Sequence, residues 1–149
     1  MVKKRTLNLS YVPEFSVLGI FTTQKDYRFC WFLNRRLKLD LKRLPAFSYT
    51  PYKQESPAAF TVFHHYNERL RQQYYLLGNK SAEGVLFELP KNLDFLMLVR
   101  NGAVREDLPL LVEHIRKTPM VQGAYLLDDA FSKRTYDVLY DFEMYLATC

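Results

Sequence analysis

The stretch Asp94-Phe95-Leu96-Met97-Leu98-Val99-Arg100 decides the fold. Five consecutive apolar residues between two charged ones leave neither alternating face polar, so as a strand the run has to be covered on both sides. It is short for a buried helix and is therefore read as the central strand of a sheet. Downstream, Val104, Leu108, Leu111, Val112 and Ile115 fall on one helical face and define a helix over about residues 105–117. Asp107 and Pro109 suit its first turn, Arg116 and Lys117 its last, and Thr118-Pro119 ends it. A strand follows at 121–127. In the tail, Val138, Leu139, Phe142 and Leu146 recur at helical spacing and predict a third helix over about 135–147.

Upstream, alternation and β-branched or aromatic content place strands at 15–22, 58–66, 72–78 and 85–89. Asn67-Glu68-Arg69-Leu70 turns the second of these into the third, and 79–84 turns the third into the fourth. Connections this short favour antiparallel neighbours. Thr23-Gln24-Lys25-Asp26 fits a capping box and opens a helix to about Lys38, with Phe29, Cys30, Leu33 and Leu37 on its apolar face. Residues 44–57 carry Pro45, Pro51 and Pro57 among polar residues and read as a long loop, its aromatics folding back on the body. The order predicts an α+β domain: a mainly antiparallel sheet of five to six strands with two or three helices packed on it, on one face. A ferredoxin-like core with an inserted hairpin is one such arrangement.

The whole chain of 149 residues is expected to form one domain, residues 1–149, including the C-terminal segment 131–149. At 48% hydrophobic, 25% charged and 15% aromatic residues it can bury a core, and disordered or collagen-like classes are excluded. No apolar run reaches the ~18 residues of a membrane span, so no membrane association is expected. Met1-Val2-Lys3-Lys4-Arg5 is basic, but the polar residues behind it break any secretory signal. Two cysteines, Cys30 and Cys149, make no disulfide framework. The expected location is cytoplasmic. The net charge of +5 is uneven: +7 over residues 1–50, +1 over 51–100 and −3 over 101–149. A basic half attracts phosphates or acidic partners, or else the two ends lie together and cancel.

Motifs for chemistry are few. His64 and His65 point to opposite faces of a strand, and His114 has no partner at ligand spacing, so no metal is expected. Cys30 sits on an apolar helix face, the setting of a structural thiol. The glycines 19, 78, 84, 102 and 123 are isolated and form no phosphate-binding loop. The acidic pairs Glu106-Asp107, Asp128-Asp129 and Asp141/Glu143 read as caps and solvated groups. No catalytic residue and no cofactor is assigned. What stands out is the outer face of the first helix: Tyr27, Arg28, Trp31, Phe32 and Arg35. Arginine beside exposed aromatic surface is the composition of interface hot spots and of single-strand nucleic-acid platforms. Alternatively, the Pro-containing loop or the C-terminal segment packs over this face.

The run Lys25-Asp26-Tyr27-Arg28-Phe29-Cys30-Trp31-Phe32-Leu33-Asn34, with residues 74–80 and 94–99, resembles the IPExxVD family of small uncharacterised Bacteroidetes proteins. The resemblance spans about residues 5–128. Of the naming motif, Val12-Pro13-Glu14-Phe15-Ser16-Val17-Leu18 keeps Pro, Glu and Val but has Leu in place of the final Asp; Thr118-Pro119-Met120 is a second, poorer match. The resemblance implies a cytoplasmic bacterial protein and carries no activity and no catalytic residues. The leading expectation is a non-enzymatic interaction module with a protein partner or a second copy. The alternative is a nucleic-acid-associated protein using Lys3, Lys4, Arg5, Arg28, Arg35, Arg36, Lys42 and Arg43. An enzyme built on a Tyr/Asp/Arg constellation is the third.

Overall fold

A computed structural model of the chain describes residues 15–51, 53–88, 90–101, 106–127 and 133–149. In chain order the elements are β1 (Phe15–Thr22), α1 (Asp26–Leu37), β2 (Lys42–Tyr49), β3 (Ala58–Asn67), β4 (Gln72–Gly78), β5 (Lys80–Ser81), β6 (Gly84–Val85), β7 (Phe95–Arg100), α2 (Leu108–Arg116), β8 (Val121–Leu126) and α3 (Lys133–Leu146). Six strands make one antiparallel sheet in the order β2-β3-β4-β7-β1-β8, and β5 and β6 form a separate small hairpin. The architecture is α+β, as expected. Its four strands β4-β7-β1-β8 have the order that a ferredoxin-like core with an inserted β2–β3 hairpin requires.

The sheet is covered on both sides because its central strands are apolar on both sides. In β7, Phe95, Met97 and Val99 pack with Leu18, Ile20, Leu76 and the apolar faces of α1 and α2. Leu96 and Leu98 point the other way, into a core with Val17, Phe60, Leu77 and, from α3, Val138, Leu139 and Phe142. The expectation of all helices on one face is thus corrected. Val17/Leu18, Val62/Phe63 and Leu76/Leu77 put apolar side chains on both faces, and α3 shields the second face from water.

Three local expectations change. Residues 42–49, which take in the first six of the fourteen residues of the expected loop, are strand β2. It is an edge strand, where Pro45 forfeits no ladder bond, and its register shifts between Leu44 and Phe47, around Pro45 and Ala46. The strand expected at 85–89 shrinks to Gly84–Val85. Beyond it, the buried Asn79 amide pairs with Phe87, accepting from its N–H at 2.7 Å and donating to its carbonyl at 3.0 Å. A second Asn79 bond, to the Leu93 carbonyl at 2.9 Å, ties the same loop to the entry of β7. Finally, the Thr23–Asp26 capping box does not form. The N-cap is Lys25 without a side-chain bond, while Thr22 Oγ1 accepts from Gln24 N–H at 3.2 Å.

The other helices follow their sequence signals. Asp107 caps α2 by accepting from Leu110 N–H at 3.2 Å, Pro109 lies in the first turn, and Leu111, Val112 and Ile115 are buried. Val104 and Arg105, placed in this helix by the sequence, lie outside the described residues. So do Lys3, Lys4, Arg5, the Val12–Glu14 part of the partial motif, Leu89, and Asp128-Asp129. No described helix is long and apolar enough to cross a membrane.

Candidate functional site

Helix α1 is anchored by Phe29, Cys30 and Leu33, which are buried against the sheet. Asn34 fastens its exit. The Asn34 amide accepts from Leu41 N–H at 2.8 Å and donates to the Leu41 carbonyl at 3.2 Å, and Lys38 closes the helix in a left-handed conformation (φ 57°) with its N–H on Asn34 O. The rotation of α1 is therefore set, and with it the face turned to water. Tyr27 is 66% and Trp31 54% exposed, one turn apart. Arg28 and Arg35 are exposed and Phe32 is half-buried. The Arg35 guanidinium stacks over the Trp31 ring at 4.9 Å, and Phe32 meets the indole edge-on at 5.1 Å. Among the described residues, neither segment expected to cover this face does so: Phe47 and Tyr49 of β2 pack in the core with α3, on the opposite face of the sheet.

Beside this face, between the end of α1 and the start of α2, lies a groove of about 290 Å³. Leu37, Leu39, Leu110 and Leu111 give it apolar walls, and Arg36, Lys38 and His114 stand at its rim. At one end the Tyr74 hydroxyl donates to the Glu106 carboxylate, whose backbone N–H is held by Asn101 Oδ1 at 2.8 Å. Burial, and then the Glu106 contact, push the Tyr74 phenol well above its usual range, so it stays a proton donor. With Arg36, the groove lining holds a tyrosine, a glutamate and an arginine, where the enzymatic expectation has Tyr, Asp and Arg. Among the described residues, every resolved shift of a thiol or phenol is upward, away from the nucleophilic form. Cys30 is pushed up to about 11, by burial first and then by Asp26 and Asp40.

The histidines diverge as the sequence requires. His64 stacks on Tyr75 and its Nε2 lies 2.9 Å from Gln73 Oε1, on the α3 side. His65 is on the other side, where its Nδ1 accepts from Asp40 N–H at 3.3 Å. Among the described residues no group of three or more His, Cys, Asp or Glu side chains is placed to hold a metal ion.

The described basic residues, Arg28, Arg35, Arg36, Lys42 and Arg43, do not converge on one track. Arg28 and Arg35 flank Trp31 on α1, while Arg36 faces the groove. Arg43 lies over Phe63 on the same side of the sheet. Lys42, its neighbour in β2, turns to the other side, where it is paired with Asp40 at 3.5 Å. The groove and the Tyr74–Glu106 contact were not legible in the sequence, because their parts come from three elements more than thirty residues apart. No family model, no curated protein and no solved structure matches the chain.

Proposed function

We propose that the protein is a non-enzymatic interaction module whose docking face is the outer side of α1: Tyr27, Arg28, Trp31, Phe32 and Arg35. The observation that supports this is the exposure of Trp31 with Arg35 stacked on it, on a helix whose rotation is fixed by its buried side. Exposed indole in contact with water gains by desolvation, and tryptophan and arginine are the residues on which binding energy concentrates. The partner that fits is a protein surface offering an apolar pocket for Trp31 and carboxylates for Arg28 and Arg35. A second copy fits less well, because a two-fold contact through this face sets like guanidinium groups against each other. The same proposal places the protein in the bacterial cytoplasm, resting on its two-cysteine composition and the IPExxVD-like segment; cell fractionation checks this.

The competing nucleic-acid reading rests on the same arginines and separates by salt. Phosphate binding releases counterions, so log K falls by about 0.7 per contact for single strands, whereas an indole-centred protein contact responds little. The test compares Trp31→Ala with the Arg28→Ala/Arg35→Ala pair in affinity capture, light scattering and oligonucleotide binding at two salt concentrations. The expected result is one stoichiometric protein partner lost in both variants, with unchanged thermal unfolding. Self-association abolished by Trp31→Ala identifies a second copy as that partner. Salt-sensitive oligonucleotide binding lost only in the arginine pair overturns the proposal.

A further inference from the structure

Strand β8 is the end strand of the sheet next to β1, and among the described residues its outer side faces no other strand. The Leu127 N–H donates to the Val17 carbonyl at 2.9 Å, which sets the phase of the ladder. In an antiparallel pair, residues alternate between bonding to the partner and turning both backbone groups away from it. With Leu18 opposite Leu126 and Ile20 opposite Ala124, the N–H and C=O of Ala124 and Leu126 point to the open edge. Such an edge is a template for another strand. Yet Ala124 is 0% exposed, while its neighbours Tyr125 and Leu126 are 49% and 39% exposed.

Arg116 supplies part of that cover. From the last turn of α2 it reaches over the edge, donating from Nε to the Ala124 carbonyl at 2.9 Å and stacking its guanidinium on the Tyr125 ring at 5.3 Å. One side chain therefore fills a ladder position that a neighbouring strand would use, and covers the exposed aromatic beside it. The opposite edge is blunted by other means: Pro45, a register shift, and the charged Lys42 and Arg43.

We infer that Arg116 is a lock on the β8 edge, and that without it β8 pairs antiparallel with β8 of a second copy of this chain. A second copy is the occupant because the strand is self-complementary. A two-fold axis through Ala124 sets each Ala124 against its counterpart and Leu126 against the second copy's Gln122. The outward groups of Ala124 then gain partners, and the exposed Tyr125 and Leu126 gain cover. Charge does not oppose this arrangement, since Val121–Leu126 carries no charged side chain to set against its own copy across the axis. The inference uses no residue of α1 and stands apart from the docking face proposed above.

The test uses the full chain with Arg116→Ala and with Arg116→Met, which keeps an apolar stem over the edge residues and so protects folding. Light scattering over a hundredfold dilution range is expected to show a monomer for the wild type and a concentration-dependent dimer for both variants. Adding Leu126→Pro removes an outward N–H without breaking a bond to β1, and is expected to restore the monomer. Adding Trp31→Ala instead is expected to leave the dimer intact. Folded variants that stay monomeric throughout overturn the lock, as does a variant dimer that Leu126→Pro fails to dissolve. A wild-type dimer that Leu126→Pro dissolves overturns it as well, since Arg116 would then be no barrier.

Discussion

Asn79 is a single side chain standing in for a strand. Its amide satisfies Phe87 N–H, Phe87 C=O and Leu93 C=O inside the core, where water cannot reach them. Asn79→Ala is expected to destabilise the fold by at least ~1–3 kcal/mol, because buried backbone groups lose their partners; denaturant unfolding measures it. Nothing local in the sequence marks this role, since an asparagine after Gly78 reads equally well as a turn residue. Cys30 was legible, its apolar helix face predicting a buried thiol. Its folded pKa is raised from the ordinary 9.0 to about 11, so the unfolded chain loses the proton first as pH rises. The sign follows directly: this contribution is complete below pH 9.0 and is lost as pH rises through about 11. Thermal unfolding is expected to fall over that window, less steeply in Cys30→Ala. At neutral pH a thiol reagent is expected to modify the exposed Cys149 readily and Cys30 only after unfolding.

At the scale of elements, α2 and β2 show when local signals suffice. In α2 the cap, the proline and the apolar spacing agree, and the helix starts where Asp107 says it should. Asp107→Ala is expected to cost ~0.5–2 kcal/mol in unfolding free energy, through the lost bond to Leu110 N–H. Replacement by Asn, which keeps the accepting oxygen, is expected to cost less. In β2 the local signals misled, because Pro45 argues against a central strand but not against an edge. Position in the sheet, not sequence, decided between them. The α1 face lies between these cases. Its spacing shows which residues share a side, but its exposure depends on β2 and α3 lying elsewhere.

Across the whole molecule, a six-stranded sheet separates two apolar cores, and each needs its own helical cover. Deleting residues 133–149 is expected to uncover Phe15, Phe47 and Tyr75, whose rings meet Phe142 of α3. Cooperative thermal unfolding is then expected to disappear, with strong binding of a dye that reports exposed apolar surface. The sequence by itself determined the α+β class, the central place of β7, the apolar faces of α1, α2 and α3, and the divergence of His64 and His65. Each of these follows from periodicity, which acts over a few residues. Tertiary structure alone decided that α3 takes the second face, that β2 extends the sheet, that Tyr74 meets Glu106, and that Arg116 closes over Ala124. Those choices depend on which residues distant in the chain bury each other's surface and satisfy each other's hydrogen bonds. The sequence specifies both only through the completed fold.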